Sequence, residues 1–534
     1  MKKTILKYIS LLAFISSPFI NSQTYAAECA SGTVDPLGCE VTVRGSTYVM
    51  TGNIVGTGIS FYNGLLPLNN TTTLTGNITA SEYSTRAIIY LRGLYTDNNN
   101  ITINGDILGT AQYGHGIELS FQANNNTINL NGNLSTNGSD ADGILATSYA
   151  NDSTINVVGN ISTQGDRSHG INFYQFQTDN ITTVTGNIST SGDNAHGIIL
   201  DDWYNDRNNF TVNGNISTSG NNSGGIYLAN SDANTFNITG DISTSGSGGN
   251  SDGIFLITSD NNTFNLSGKV ESARSYAIEI HSTSTNTTFN LNPSSSVVGG
   301  FLNSSPSTTI NNQGAITSLV NNGGIYSLIN KGTIASLSNN ASISSINNLQ
   351  NGLTYSGELP YNYNIIINSA TDYGSMTISN GTGKTTFGFD ESNSTITGGN
   401  YADIFEGISS AYINNNSGTI GSRHWFIADT GNNSLDLNIS YVGNQSISSN
   451  ISTTGNYGYG FWIKENDSST ITINGDITTT GSNAYGFVSE SSDSNNVTIN
   501  GDISTTGTSA YAFFNALSTG NNTTIVGDIT TQGT

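Results

Sequence analysis

The sequence predicts an all-β fold, a right-handed parallel β-helix (β-solenoid) with coils of about 26–29 residues, interrupted by a non-repeat β segment. Three observations predict it. First, glycines recur at positions 76, 105, 132, 159, 186, 214, 240 and 268, at intervals of 29, 27, 27, 27, 28, 26 and 28 residues. The beat returns at Gly475, Gly501 and Gly527, where both intervals are 26. A fixed period of this size marks repeats that stack on one another. Second, apolar and polar residues alternate around each glycine, the period of a strand with one buried face. Third, only 10% of the 534 residues are charged, 62 are glycine, and Asn, Ser and Thr dominate. The apolar residues are strictly periodic rather than sparse, which separates this composition from disorder.

One repeat shows what each part can build. Thr235 to Ile242 reads as a strand with Phe236, Ile238, Gly240 and Ile242 on its buried face. The small polar stretch at 243–246 reads as a corner. A second short strand follows at Gly253-Ile254-Phe255-Leu256, matched one repeat earlier by Gly225-Ile226-Tyr227-Leu228. The unit closes on Ser259-Asp260-Asn261-Asn262, side chains that bond their own backbone and tolerate left-handed conformations. Two strands are clear, there is room for a third, and no helical periodicity is present. A single repeat cannot bury its few inward residues, but stacked repeats join them into a thin continuous core, with strands about 4.8 Å apart. A propeller blade needs about 40–50 residues, so these units are too short for one.

The formal net charge of −23, from 37 acids against 14 bases, argues against nucleic-acid binding, which needs clustered Lys and Arg. Residues 1–26 read as an export signal: Lys2, Lys3 and Lys7 precede the apolar run Ile9 to Ile15, and a small-residue site follows at Ala26-Ala27. The run is too short to span a bilayer as a helix. A lipoprotein signal is not matched, because Glu28 stands next to Cys29. Cys29 and Cys39 are the sole cysteines, and in an exported protein they are expected to form a disulfide tying down an N-terminal region at 27–70. The alternatives are free thiols or a metal site, the latter short of two further ligands.

Long repeats run over 71–309. Over 310–352 the beat shortens to about nine residues, as in Ile310-Asn311-Asn312-Gln313-Gly314 and Ile329-Asn330-Lys331-Gly332. Residues 353–443 lose the repeat, gain aromatics and carry Trp425, and read as an insert or a small β domain. Long repeats resume over 444–534 and stop in mid-repeat with no visible cap, the pattern expected of a fragment of a longer protein.

Few residues suggest chemistry. Asn380-Gly381-Thr382-Gly383-Lys384-Thr385 imitates the end of a phosphate-binding loop, but Ile378 stands where the first glycine belongs, so it reads as a turn. His115, His169 and His196 occupy equivalent places, and His169 with His196 are the candidate metal pair, being on adjacent coils. Other repeats place Asp142, Asp252, Tyr276, Tyr459, Tyr485 and Tyr511 there, which reads as an outward-facing polar or aromatic column. Asp201-Asp202-Trp203-Tyr204-Asn205-Asp206-Arg207 is the richest cluster. Glycoside cleavage uses paired acids, which makes Asp201, Asp202 and Asp206 the catalytic candidates; an Asx-rich bend is the alternative. No cofactor site is read from the sequence.

The export signal, the Asn-Gly-Asp-Ile coils and the Ile-Asn-Asn-x-Gly coils together resemble the passenger region of a bacterial autotransporter. That resemblance implies a surface-displayed or released β-helix used in adhesion, autoaggregation or biofilm formation, and non-catalytic. Its partners would be a host or neighbouring-cell surface, matrix or further copies of itself. It also implies attachment to the outer membrane through a C-terminal β-barrel; no run of barrel strands is present in this chain. Roughly sixteen coils at about 4.8 Å each would give a rod approaching 80 Å. A polysaccharide-degrading β-helix enzyme and a purely structural surface-layer or spacer protein are the alternative functions.

Overall fold

The computed structural model describes residues 46–533 except 57, 63–68, 82–86, 94–95 and 275. It also describes the backbone of the short strands Ala27–Glu28, Gly32–Thr33 and Cys39–Val41, and of Tyr62. The export signal read at 1–26 and the pairing of Cys29 with Cys39 lie outside the described residues. Among those residues the chain is all-β, and its helical content is the two short turns Glu391–Asn393 and Ser410–Tyr412. Successive coils stack in parallel register, as a β-solenoid.

Each long coil carries three strands, one on each of three faces. In the coil starting at Thr235 they are Thr235–Ile238, Ile242–Thr244 and Ile254–Ile257. The run Thr235–Ile242 is therefore two strands rather than one, and Ser243 and Thr244 belong to the second strand instead of a corner. The alternating pattern hides the break because the chain turns at Thr239-Gly240-Asp241 and Ile242 again points inward. Gly240 is required there by the neighbouring coil: a Cβ would overlap the carbonyl of Gly214, the glycine one beat earlier. The Asp241 amide then donates to Asn215 Oδ1 at 2.8 Å, and the Asn187 amide to Asn160 Oδ1 at 2.8 Å. The Gly-Asn/Asp phrase is thus a corner device, combining a close backbone approach with a side-chain ladder that binds each coil to the one before.

The core is built from columns. Phe236 pairs in register with Phe210 and Phe264, and Phe264 with Phe289. Their rings stack at 5.0, 4.9 and 4.8 Å with planes within 7°. Polar corners that enter the interior are also laddered. The buried Asn208 amide donates to Asn234 Oδ1 at 2.9 Å, and the Asn234 amide to Asn262 Oδ1 at 2.9 Å. Such ladders are obligatory, because a buried amide without a partner costs as much as a lost hydrogen bond.

In the short-period region two nine-residue phrases make one coil. Stacked positions lie 18 residues apart, with Asn312 Nδ2 donating to Asn330 Oδ1 at 2.8 Å and Asn330 Nδ2 to Asn348 Oδ1 at 2.9 Å. The stack then continues through residues that lack the sequence repeat. Leu353–Glu358 and Asn362–Ile365 pair in parallel with the preceding coil, and Met376–Thr382 and Thr386–Phe389 pair in parallel with them. The antiparallel ladders involve Gly399–Glu406, Ser417–Ile420, Arg423–Gly431 and Ser434–Ile439. A second stack begins at Gln445, with its own core column of Phe461, Phe487 and Phe513. Tyr441 covers its first ring at 4.1 Å.

Candidate functional site

The histidine positions and the acidic cluster flank strands of the third face, histidines before and acids after. His169 and His196 precede Ile171–Tyr174 and Ile198–Asp201, and the residues after those strands form an exposed corner.

The His and Asp members of the column are largely buried rather than outward-facing, whereas Tyr276, Tyr459 and Tyr485 are half-buried and Tyr511 is exposed. His115, Asp142, His196 and Asp252 are all buried, and His169 is half-buried. The reason is a hydrogen-bond ladder. The Asp142 amide donates to His115 Nδ1 at 3.0 Å, the His169 amide to Asp142 Oδ1 at 2.7 Å, and the His196 amide to His169 Nδ1 at 3.0 Å. The Gly224 amide donates to His196 Nδ1 at 2.8 Å. Position after position, a side-chain acceptor meets the amide of the next coil, which is why His and Asp are interchangeable here. His115 Nδ1 also lies 3.4 Å from Asp142 Oδ2, beyond a good N–H···O bond, so the amide contact decides its role. Burial holds the imidazoles of His169 and His196 below the ordinary histidine range, His196 well below; the carboxylates of Asp142 and Asp201 pull His169 partly back.

For the metal candidates, this ladder occupies the Nδ1 lone pairs of both His169 and His196 with backbone amides. Among the described residues no group of three or more His, Cys, Asp or Glu converges as a metal site.

The corner that follows the third face carries large aromatics on successive coils. Tyr149 stacks on Phe176 at 4.5 Å with planes 4° apart, Phe176 on Tyr204 at 5.8 Å, and Trp203 lies tilted against Tyr204 at 6.3 Å. Tyr149, Trp203 and Tyr204 are exposed. Their backbones are left-handed, with φ of 68° at Tyr149, 61° at Phe176, 74° at Trp203 and 56° at Tyr204. The equivalent residue on the next coil is Asn230, an ordinary choice for that conformation.

The acids are spread along this corner. Asp201 Oδ1 accepts its neighbour's amide, Asp202 N, at 2.7 Å, and Asp202 Oδ2 accepts from Gln175 Nε2 at 2.9 Å. Asp202 also bonds the Tyr174 hydroxyl, which is pushed up by that bond. Asp206 Oδ1 accepts the Asp232 amide at 2.8 Å, on the ladder of the bend itself. Arg207 forms a bidentate pair with Asp179 at 2.7 and 2.8 Å. Asp201 and Asp202 thus stand beside the aromatic platform, whereas Asp206 is part of the bend. Asp201 is also near enough to His169 and Tyr227 to act on both electrostatically.

Sequence reasoning missed the aromatic corner as a unit. Its signal was an aromatic at 27- or 28-residue spacing, at positions 149, 176 and 204, masked by the Asx-rich residues around it. In the phosphate-loop echo, Gly383 and Lys384 connect two strands, Met376–Thr382 and Thr386–Phe389, with no helix to receive a phosphate.

Comparison with protein-family models, with curated proteins and with solved structures gives no match to this chain.

Proposed function

We propose that this chain is the exported, surface-displayed or released β-helix passenger of an autotransporter-like system, and that it binds rather than catalyses. It would act as an adhesin, autoaggregation or biofilm factor, through a host or neighbouring-cell surface, matrix or other copies of itself. The observation that carries the reading is the exposed aromatic corner from Tyr149 to Tyr204, held on a stack whose coils are locked in register. Aromatics exposed on a scaffold with laddered corners are what a preorganised binding surface requires, because little ordering entropy remains to be lost on contact. The test displays the chain on a non-aggregating bacterial cell and measures settling and adherence to matrix-coated surfaces. Increased settling or adherence supports the proposal, and cells indistinguishable from undecorated ones would favour the spacer reading.

A polysaccharide-cleaving enzyme is the second reading, favoured by Asp201 and Asp202 beside exposed Trp203. It predicts shortened polysaccharide products that disappear with Asp201→Ala or Asp202→Ala.

A further inference from the structure

The corner at Trp203 is longer than those of its neighbours, by one residue against the preceding coil and by two against the following one, where Leu200 pairs with Leu228, 28 positions on, but Asp206 Oδ1 meets the Asp232 amide, 26 positions on. Tyr174 pairs with Asp201, 27 positions on, yet the Gln177 amide meets Asn205 Oδ1, 28 positions on. The extra residue falls between them, and the chain accommodates it with three successive left-handed residues, Asp202, Trp203 and Tyr204. Trp203 is thereby pushed out to 59% exposure, while the other two tryptophans, Trp425 and Trp462, are 5% exposed. A bulky side chain at positive φ is strained, and such strain persists where surrounding structure enforces it, most often at functional sites. The following coil turns with Asn230 alone where this one uses Asp202, Trp203 and Tyr204, so continuing the stack does not itself require the longer corner that carries the tryptophan.

The surroundings narrow the ligand. In the stack, Tyr149 and Phe176 cover one another's faces and present edges. Trp203 is tilted 44° against Tyr204 and 59% exposed, and the following coil, whose Asn230 carbonyl accepts the Tyr204 amide, brings no ring to this corner, which leaves indole surface open. Beside it lie the Tyr174 hydroxyl, the Gln175 amide and the Asp202 carboxylate, joined by hydrogen bonds. Asp201, Asp202 and Asp206 set a negative local field, and the nearby Arg207 is already paired with Asp179. Phosphate, sulfate and carboxylate polymers are repelled by that field. An apolar protein face would strand the carboxylates' lone pairs, which is costly. A pyranose ring avoids both penalties: its C–H face covers the indole and its hydroxyls donate to the carboxylates.

We propose that Trp203, with the Tyr174, Gln175 and Asp202 cluster beside it, forms a binding site for a neutral polysaccharide. The proposal rests on the binding reading given above and names its ligand class. Binding is non-covalent and leaves the polymer intact.

The test uses the full chain in affinity electrophoresis against dextran, soluble starch, xyloglucan and galactomannan, with polygalacturonate as the anionic control. Tryptophan emission is recorded in parallel, because the ring that gains cover on binding is the exposed one. Retardation by at least one neutral polymer and a blue-shifted emission are expected. Trp203→Ala should weaken the retardation about tenfold or more and abolish the shift, with Trp203→Phe intermediate. Circular dichroism matched to the wild type establishes that each variant is folded. Retardation unchanged in Trp203→Ala, retardation by polygalacturonate alone, or no retardation by any neutral polymer would each overturn the site. So would loss of self-association as the sole effect of Trp203→Ala, which would make a second copy the occupant. Settling and adherence are measured on the same variants. If they persist without polysaccharide binding, the site falls and the binding function stands; if the wild type shows neither activity, both fall.

Discussion

Nδ1 of His169 accepts the amide N–H of His196 at 3.0 Å, and the two imidazoles stack with ring centroids 5.4 Å apart. The contact requires a bare Nδ1, so each ring is neutral with its proton on Nε2. Protonation would place a donor against a donor.

A pH dependence follows, with a definite sign. Both histidines have pKa values depressed by burial, so below the ordinary value near 6.5 the unfolded chain binds more protons than the folded one. Their contribution is complete above about pH 6.5 and is lost as pH falls toward the folded values, by at most about 1.4 kcal/mol per pH unit for each histidine. Around His169 stand His115, Asp140, Asp142 and Asp201, whose carboxylates soften its depression. Asp252 acts in the opposite direction: burial pushes its carboxyl up to about 7 against the pull of Arg274. Its contribution is present at low pH and is lost as pH rises from about 3.9 toward that value. The double substitution His169→Asn, His196→Asn isolates the histidine contribution, because Asn offers Oδ1 as a permanent acceptor and Asp252 is common to both proteins. Asp436, raised to about 6 by burial, acts as Asp252 does and is likewise common to both, so in thermal melts between pH 7.5 and 5 the wild type should lose Tm relative to the variant as the pH falls. Equal slopes would show that the two rings do not titrate with folding.

The phenylalanine column predicts a local loss. Phe236 lies between Phe210 and Phe264 at 5.0 and 4.9 Å and is fully buried. Phe236→Ala should cost about 3–5 kcal/mol. Phe236→Leu keeps the column filled and loses chiefly the two ring pairs, worth about 0.5–1.5 kcal/mol each. Because each coil contacts only its neighbours, hydrogen exchange should accelerate first in the coils carrying Phe210, Phe236 and Phe264. An Ala variant with unchanged protection would contradict the column's role.

The stack was legible in the sequence because a parallel register converts a fixed period directly into columns. Phe236 and Phe264 pair because they are 28 residues apart at the same point of the beat. The third strand was harder to read, since Ile242 lies on a new face yet continues the alternation begun at Phe236. The nine-residue phrases could not reveal that two of them complete a coil, because three faces are shared unevenly between phrases. His169 and His196 were identified, but their burial depends on amides one coil away, which no local pattern reports. Trp203 looked like one of seven polar-rich residues; its exposure depends on a corner longer than those of both neighbouring coils, which shows only when the coils are aligned.

Asn234 tests whether the buried amide ladder carries stability. Its Oδ1 accepts the Asn208 amide at 2.9 Å, and its Nδ2 donates to the Asn205 carbonyl at 2.7 Å. Asn234→Ala removes both partners inside the solenoid, at about 1–3 kcal/mol for each group left unpaired. Asn237, three residues on, lies on the outer face of its strand, where its Nδ2 donates to Asn209 Oδ1 at 3.1 Å and its Oδ1 accepts from Asn265 Nδ2 at 2.8 Å. There water replaces the lost bonds, and Asn237→Ala should stay within about 0.5 kcal/mol of the wild type. Urea denaturation of the two variants checks the contrast; equal midpoints would mean that the interior ladder is dispensable.

Gly186 separates a structural glycine from an incidental one. It stands in the beat at φ 149°, and a Cβ there would overlap the carbonyl oxygen of Gly159 on the preceding coil. Neither atom can withdraw cheaply, because the adjoining Asn187 amide is fixed to Asn160 Oδ1 and the coils are paired on both sides of the corner. Gly186→Ala must therefore spread two coils, at a cost on the order of 3–5 kcal/mol. Gly249 lies outside the beat, and its nearest neighbour would be Asn222 Oδ1 at 3.9 Å, ordinary contact without strain. Gly249→Ala should be neutral or stabilising by up to about 1 kcal/mol, through loss of freedom in the unfolded chain. Paired thermal melts decide the matter. If both alanines behaved alike, close approach of the coils would not be what the repeated glycine secures.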